Sequence, residues 1–281
     1  MNIINYLNST ETKQQIIDLI CKNVQNIWKI DSQEGINYFA TSVYNWFIKE
    51  CINYNQYIEF TELQIDVFKN LYKALIKNLN KIPPELMNTN IEKIVNEHRA
   101  KLLTILKDIF SNQSEFAQKK LCSEYSFELQ KQVLRLEINS LLEPILDIGC
   151  GENAFFLKEC MSNKKEVSGI DQYMIQDLNN IVCKNWLEFD YEKENWGSII
   201  SHMAFTNHYK YHIAHQTNYI HKYKEKYMEI LNSLRIGGIF YYSPSIPEIE
   251  QKLDSRKYEI NSFDNTVNNI NIGSVKILKI K

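Results

Sequence analysis

The sequence predicts two parts, an N-terminal all-α domain and a C-terminal α/β domain with a mostly parallel sheet. Up to about residue 140, apolar residues recur at intervals of three and four, which is the period of an amphipathic helix. After Glu143 and Pro144, short apolar runs alternate with helical segments, as in parallel strands joined by crossover helices. We therefore expect domains of residues 1–140 and 141–281.

The N-terminal half contains the helical segments IIDLICKNVQNIW, FTELQIDVFKNLYKALIKNL and IEKIVNEHRAKLLTILKDIF. Ser9 and Thr61 stand immediately before helical runs, where a hydroxyl side chain caps the first turn. Pro83 and Pro84 separate one long helix from the next. We expect about six helices in this half, and we interpret it as a cap that either contacts the substrate or mediates oligomerisation.

The C-terminal half contains seven apolar runs of strand length. They are PILDIGC, KEVSGID, NIVCKNW, WGSIISHM, GGIFYYSP and two final runs around residues 257–262 and 274–280. The polar segment NSFDNTVNNINIG joins the final two runs and leaves no room for a crossover helix. The prediction is a seven-stranded sheet that ends in an antiparallel hairpin.

Composition and charge restrict the classes of partner. Lys and Arg total 32 and Asp and Glu total 34 in the 281 residues, so the net charge of −2 gives no basic surface for nucleic acid or anionic membrane. The chain shows neither a signal-peptide pattern nor an apolar window long enough to span a bilayer. Its six cysteines form no CxxC pair, which suits reduced thiols. We expect a cytoplasmic protein that binds neither membrane nor nucleic acid.

A glycine-containing turn follows the first predicted strand, in the segment EPILDIGCGENAFFLKEC. Glycine is needed at Gly149 and Gly151 because a Cβ would block both the tight backbone and the approach of a ligand. Asp171 ends the next predicted strand, where a carboxylate can accept hydrogen bonds from both hydroxyls of a ribose. The turn and the carboxylate together predict a nucleotide site.

Several of these segments resemble the class I S-adenosylmethionine (SAM) dependent methyltransferases. The matching segments, in order and spacing, are ILDIGCG, GIDQY, CKNWLEFD, WGSIISHM and LNSLRIGGIFYYSP. A dinucleotide-binding dehydrogenase is a poorer match, because no third glycine follows GCGENAF at the GxGxxG offset. The resemblance implies a Rossmann-like methyltransferase fold, with SAM as cofactor, S-adenosylhomocysteine as product and no metal.

The resemblance also implies which residues hold the cofactor. It assigns the methionine end of SAM to Asp147, Gly149 and Gly151, the ribose to Asp171 flanked by Gln172 and Tyr173, and the adenine to Asn185 and Trp186. Trp186 is equally well interpreted as a core aromatic.

Two positions depart from the family pattern. Asn153 stands where a third glycine is usual, and Gly197 where an aspartate often opens strand four. Asn tolerates left-handed backbone better than most residues, so we expect the strained or altered backbone of the turn at Asn153.

Five of the six histidines lie between residues 202 and 221. One interpretation makes His202, at the end of strand four, and His208 catalytic groups that take a proton from the acceptor. A second assigns a metal to the HxxxHxxH spacing of His208, His212 and His215, and a third treats the histidines as solvated or packed. We predict catalytic roles for His202 and His208, and substrate contacts for the residues Tyr125, His212 and His215.

Tyr125 and Glu124 lie just before the first strand, where members of the family often close a helix over the cofactor. A helix cap at Ser123 or Ser126 accounts equally well for the serines of this segment. With the helical half, this segment suggests an enclosed pocket for a small molecule.

These observations predict methyl transfer from SAM to an O or N atom of a small-molecule metabolite, in specialised natural-product biosynthesis. The sequence SHMAF after strand four differs from the Asn/Asp-Pro-Pro-aromatic motif of enzymes that methylate planar nitrogens of adenine or glutamine. The alternatives are an RNA or protein methyltransferase and a non-catalytic SAM-fold binding or regulatory module. For the oligomeric state, a homodimer is one option that the sequence leaves open.

Overall fold

The regular structure of the first part of the chain is helical. The structure, a computed structural model, describes residues 3–54, 56–111, 125–172, 178–267 and 270–281. The helices before residue 112 are α1 (Ile3–Asn8), α2 (Thr10–Ile27), α3 (Gln33–Tyr54), α4 (Glu62–Asn80) and α5 (Met87–Ser111), with a short 3₁₀ helix at Pro84–Leu86.

The caps of these helices follow the sequence signals. The Ser9 hydroxyl accepts a hydrogen bond from the Thr12 N–H (3.0 Å) at the start of α2. Thr61 and Gln64 form a reciprocal capping box at the start of α4. The predicted helix starts at Ser9 and Thr61 are therefore confirmed, as is the break at the two prolines.

Helices α2, α4 and α5 share an apolar core. Buried residues of this cluster include Ile20 and Ile27 from α2, Ile76 from α4 and Val95 from α5. Each fully buried aliphatic side chain stabilises such a bundle by about 1.5–3 kcal/mol relative to an exposed one. The periodic apolar positions in the sequence supply this buried face.

The second part of the chain is an α/β unit. Its elements are α6 (Phe127–Leu134), a 3₁₀ helix (Ile138–Ser140), β1 (Ile145–Ile148), α7 (Phe155–Ser162), β2 (Val167–Asp171), β3 (Ile181–Cys183), β4 (Trp196–His202), α8 (Phe205–Ala214), α9 (Ile220–Ser233), β5 (Leu234–Ser243), α10 (Pro247–Glu250), β6 (Tyr258–Val267) and β7 (Ile270–Lys279). Six α-helices thus lie before residue 140 in the described ranges, as expected.

The seven strands form one sheet in the order β3-β2-β1-β4-β5-β7-β6. The neighbours among β1 to β5 pair in parallel, and β7 is antiparallel to both β5 and β6. The predicted fold class, a mostly parallel seven-stranded Rossmann-like sheet with a terminal antiparallel hairpin and a preceding helical region, is confirmed. The strand order reverses beside β1, so its carboxyl end lies where α/β sheets bind ligands.

The terminal hairpin is longer than the apolar runs suggest. Its register pairs Tyr258 with Lys279 and continues to Val267 with Ile270. Most of the polar segment interpreted as a connection is therefore strand. An antiparallel strand at the edge of a sheet can expose one face to water, so polar residues are tolerated there.

The sheet buries side chains on both faces, which places it between two helical layers. Leu146 and Ile199 belong to one core cluster, shared with α8 and α9. Their sequence neighbours Ile145 and Ile200 belong to the other, shared with α6 and α7. Successive strand residues point to opposite faces, so near-continuous apolar runs in β1 and β4 follow from burial on both sides.

The chain divides into two units, Met1–Lys119 and Lys120–Lys281, which is earlier than the expected boundary near residue 140. The reason is that α6 packs against β5, β7 and α7 and so belongs with the sheet. The functional roles of the two domains stay predictions. None of the described helices combines the length and apolar content that crossing a bilayer requires.

Candidate active site

The turn after β1 has the backbone that only glycine adopts readily. Gly149 and Gly151 have φ values of 76° and 71°. The N–H groups of Gly149 and Cys150 both donate to the carbonyl of Ile170 in β2, at 2.8 and 3.3 Å. A Cβ at Gly149 would lie 2.4 Å from the Cβ of Ala204. Conformation and close packing therefore both require glycine at position 149.

Two buried carboxylates adjoin this turn. Asp147, in β1, is 3% exposed, and Asp171, at the end of β2, is 5% exposed. The Gly151 N–H donates to Oδ2 of Asp171 at 2.8 Å. Burial, and then the charge of Asp171, raise the pKa of Asp147 to about 8. Positive charge bound beside Asp147 would favour its ionised form, so this pair suits a ligand that carries positive charge and hydroxyl groups and is unfavourable for the negative charge of a pyrophosphate.

The altered backbone of the turn lies one residue later than expected. Ala154, directly before α7, has φ 45° and ψ 44°, and its side chain is fully buried. The left-handed residue is therefore Ala154 and not Asn153. The Ala154 N–H donates to the Gly151 carbonyl (3.3 Å), and a small side chain suits the position because it is completely buried.

The second departure from the family pattern, Gly197, also has a packing reason. A Cβ at this residue would lie 2.5 Å from the carbonyl oxygen of Leu142 and 2.7 Å from that of Glu143. The backbone before β1 occupies the space that a side chain would need. An aspartate is therefore sterically excluded at the start of β4 in this chain.

The residues assigned to adenine lie at or near the core. Trp186 is buried, its Nε1–H donates to the Tyr223 hydroxyl (3.1 Å), and its ring lies against Gly149. Oδ1 of Asn185 accepts the Leu187 N–H at 2.8 Å. These contacts support the core interpretation of Trp186, and its contact with adenine stays a prediction. Gln172 directly follows β2, and Tyr173 lies outside the described residues.

The connection from β4 to α8, residues 201–206, is termed the β4–α8 corner. The Ser201 hydroxyl donates to the Ile148 carbonyl (3.2 Å) and accepts the Phe205 N–H (3.1 Å). Met203 has a φ of 52°, and Ala204 at the centre of the corner contacts Gly149. The corner is thus fastened to the carboxyl end of β1, beside the glycine turn.

Sequence reasoning missed Ser201. The available signal was a serine inside the apolar strand WGSIISH, where a buried hydroxyl needs a hydrogen-bond partner.

His202 ends β4 and is 6% exposed. Its Nε2 has no hydrogen-bond partner in the part of the chain that the structure describes. Burial lowers the pKa of His202 to about 4, so its imidazole is neutral at physiological pH. The Tyr125 ring packs edge-on against it, with the ring centroids 5.2 Å apart. The structure therefore brings together a predicted catalytic residue and a predicted substrate contact.

The segment around Tyr125 also contains a helix cap. The Ser126 hydroxyl accepts the Leu129 N–H at 3.3 Å and begins α6, as the alternative interpretation expects. Ser123 and Glu124 lie outside the described residues.

The other predicted histidines occupy different environments. His208 and His212 are buried in α8, where the His208 ring packs edge-on against Trp186 (4.8 Å) and Nδ1 of His212 hydrogen-bonds to the Thr217 hydroxyl (2.8 Å). His215 follows the end of α8, is exposed, and bonds to the Tyr211 carbonyl.

The metal alternative for the three histidines fails at His215, because α8 ends before it. Among the described residues, ligand atoms of His208 and His212 lie within 4.8 Å of one another, and His215 does not join them. The catalytic role of His208 and the substrate contacts of His212 and His215 stay predictions.

No protein-family model matches the chain, and no curated protein matches it. Solved structures with a similar fold include an rRNA methylase from Streptococcus thermophilus (15% identity, 51% of this chain and 92% of that chain covered, TM-score 0.38). They also include the N-methyltransferase NodS from Bradyrhizobium japonicum WM9 in complex with S-adenosylhomocysteine (13%, 55% and 87%, 0.42). A third is 1,6-didemethyltoxoflavin-N1-methyltransferase from Burkholderia thailandensis (12%, 49% and 71%, 0.35).

Proposed function

We propose that the protein is a SAM-dependent methyltransferase of class EC 2.1.1 that methylates an O or N atom of a small molecule. The observation that carries the proposal is the pair of buried carboxylates, Asp147 and Asp171, beside a glycine turn with positive φ. A sulfonium, an amino group and two ribose hydroxyls complement this pair by charge and by hydrogen bonding.

Within this proposal, the chain's residues bind and orient the two reactants. SAM, when bound, supplies a methyl group activated on a sulfonium. Asp171 would hold the ribose hydroxyls in place of the Gly151 N–H, and Asp147, whose pKa is raised to about 8, would ionise beside the positive charge of the methionine end. His202, neutral and buried at the end of β4, accepts a proton from the acceptor. Burial of the site keeps water away from the reacting atoms.

A small-molecule acceptor is preferred to a polymer for two reasons. The net charge of −2 provides no excess of basic groups for a nucleic acid backbone. His202 is almost completely buried, which favours a small partner over a polymer. Specialised biosynthesis in the cytoplasm belongs to the same proposal.

Calorimetry with SAM and S-adenosylhomocysteine tests the cofactor. We expect both to bind, and we expect Asp171→Ala to weaken each by about 100-fold, since two hydrogen bonds to a charged group are lost. Asp264→Ala, at an exposed carboxylate in β6, is the matched control and should bind as the wild type does. Absence of binding at millimolar ligand, or full affinity in Asp171→Ala, would refute SAM as cofactor.

Turnover separates an enzyme from a non-catalytic SAM-binding module. His202→Gln and His208→Gln should each lower the rate of S-adenosylhomocysteine formation with an accepted substrate by about 10- to 100-fold, with SAM affinity nearly unchanged. Wild-type rates in both variants would show that neither histidine takes part in catalysis.

A further inference from the structure

Two buried polar atoms stand out on the β4–α8 corner. They are Nε2 of His202 and Oγ1 of Thr206, whose side chains are 6% and 0% exposed. Neither atom has a hydrogen-bond partner within the described ranges of the chain. Buried polar groups are nearly always paired, and leaving one unpaired costs free energy, so two on one short segment indicate a bonding group outside the described residues.

Both residues lie on the short segment that packs against the glycine turn. The hydrogen bond from the Phe205 N–H to the Ser201 hydroxyl folds the first turn of α8 back onto the end of β4. His202 and Thr206 directly follow these two bonded residues. Ala204, midway between them, contacts Gly149 of the glycine turn. A group held by both orphaned atoms would therefore lie next to the proposed cofactor site.

We propose that His202 and Thr206 form a two-point site for the acceptor, which is a neutral hydroxyl group on a planar unsaturated ring. The inference rests on the proposed function and specifies its substrate class. Sequence reasoning assigns no role to Thr206. A hydroxyl that donates to Nε2 of His202 and accepts from the Thr206 hydroxyl satisfies both orphaned atoms and keeps one lone pair for the methyl group.

The class of hydroxyl follows from the neutrality and burial of the two groups. Neither side chain carries a charge at neutral pH, so neither compensates the desolvation of a carboxylate or an ammonium group. A buried imidazole with a lowered pKa is a weak base, which favours a phenol or enol over an alkanol as the proton donor. The Tyr125 ring against His202 adds an aromatic wall for a planar ring.

The transfer balances without any further reactant. The acceptor oxygen attacks the methyl carbon of SAM, and the new O–C bond forms as the C–S bond breaks with its electron pair left on sulfur. The hydroxyl proton passes to Nε2 of His202, which becomes an imidazolium and later releases that proton to solvent. Thr206 donates its hydrogen bond to the acceptor oxygen throughout and so orients the attacking lone pair.

The test uses phenol as the probe and the full-length protein labelled with ¹⁵N-histidine. With saturating S-adenosylhomocysteine, we expect millimolar phenol to shift the His202 Nε2 resonance, which His202→Gln identifies. Cyclohexanol and benzoate should bind at least about tenfold more weakly. A His202 resonance that phenol does not move, or that all three probes move equally, would overturn the proposal.

Thr206→Val and Thr206→Ser separate binding from folding. The isosteric Thr206→Val should weaken phenol binding about fivefold or more, and Thr206→Ser should bring the affinity for phenol to within about twofold of the wild type. Because the threonine hydroxyl is orphaned, the valine variant should keep or raise the melting temperature. A clear fall in melting temperature would reveal a structural partner for the hydroxyl and overturn its role, as would unchanged phenol affinity.

Failure of this proposal is distinguishable from failure of the proposed function. S-adenosylhomocysteine affinity is measured separately by calorimetry and should be unchanged in both threonine variants. If S-adenosylhomocysteine binds but phenol causes no response at His202, only the acceptor assignment is wrong. If S-adenosylhomocysteine does not bind, the methyltransferase assignment is wrong.

Discussion

The glycine turn and the β4–α8 corner lie in contact, but they differ in whether their buried polar groups are hydrogen-bonded within the chain. In the turn, the Gly151 N–H and the Asp171 carboxylate satisfy each other, and the Gly149 N–H reaches a neighbouring strand. In the corner, the side chains of His202 and Thr206 bury polar atoms that have no partner in the ranges the structure describes.

The difference teaches which half of the site is preorganised by the fold. The turn holds its shape through its own hydrogen bonds, so a cofactor would exchange one partner of Asp171 for another at small net cost. The corner keeps an unfavourable arrangement, which the fold tolerates because Ser201 fastens it on both sides. A buried polar group that the fold leaves unsatisfied needs an explanation, and a ligand that completes the structure is one.

Gly149→Ala should break the contact between the two regions and have the largest effect. Its Cβ would lie 2.4 Å from Ala204 Cβ, and the residue would have to keep φ at 76°. We expect a loss of about 3–4 kcal/mol in the free energy of unfolding, measured by urea denaturation.

Gly237→Ala is the matched control for this substitution. Gly237 has a φ of 82° with nothing within 4 Å of the added Cβ, so only backbone strain of about 1 kcal/mol is expected. Equal losses in the two variants would show that the contact with the corner contributes nothing.

The turn should lose stability as pH rises. The pKa of the Asp147 carboxyl is raised from 3.8 to about 8 in the folded protein, so the folded state binds more protons than the unfolded state between these values. Between pH 5 and pH 7, Asp147 should therefore lower the free energy of unfolding by about 2–3 kcal/mol.

Asp147→Asn removes this contribution. The difference in unfolding free energy between variant and wild type should grow in favour of the variant from pH 5 to pH 7, as followed by denaturation at each pH. A constant difference would mean that Asp147 titrates normally in the folded protein.

Ser201→Ala tests whether the corner is fastened as described. It removes the hydrogen bonds to the Ile148 carbonyl and from the Phe205 N–H, and it leaves both backbone groups without that partner. We expect a loss of about 1–2 kcal/mol, measured by thermal and urea unfolding. Ser162→Ala, at an exposed hydroxyl that bonds to Glu159, should cost less than about 0.5 kcal/mol. Equal effects would contradict a special role for Ser201.

The corner should respond to pH in the opposite direction, with the smallest effect. The pKa of His202 is lowered from 6.5 to about 4, so the unfolded state binds more protons between these values. Stability is therefore lost as pH falls, by about 1 kcal/mol between pH 6 and pH 5. His202→Phe should reduce this loss. An unchanged acid slope would show that His202 is accessible to water.

Much of the fold could be predicted from the sequence because it depends on local pattern. Apolar periodicity predicted the helices, Ser9 and Thr61 predicted their starts, and seven apolar runs predicted the seven strands. The boundary between the two units was harder to predict from the sequence. Helix α6 has the same helical pattern as the helices before it, and only its packing on β5, β7 and α7 assigns it to the sheet.

The candidate site was predictable where backbone geometry dictates residue type. Gly149, Gly151 and Asp171 were identified because few backbone arrangements require two glycines in one turn and a carboxylate at the end of the next strand. Ser201 and Thr206 were missed because an isolated serine or threonine carries no periodic or motif signal, and its importance depends on whether a partner is present.

By itself, the sequence determined the succession of helices and strands, the glycine turn and the carboxylate at the end of β2, because each depends on residues close in the chain. Only the tertiary structure decided that Ala154 and not Asn153 adopts the left-handed backbone, that His215 separates from His208 and His212, and that His202 meets Tyr125. These outcomes depend on which side chains are buried together, and burial is set by contacts between residues distant in the sequence.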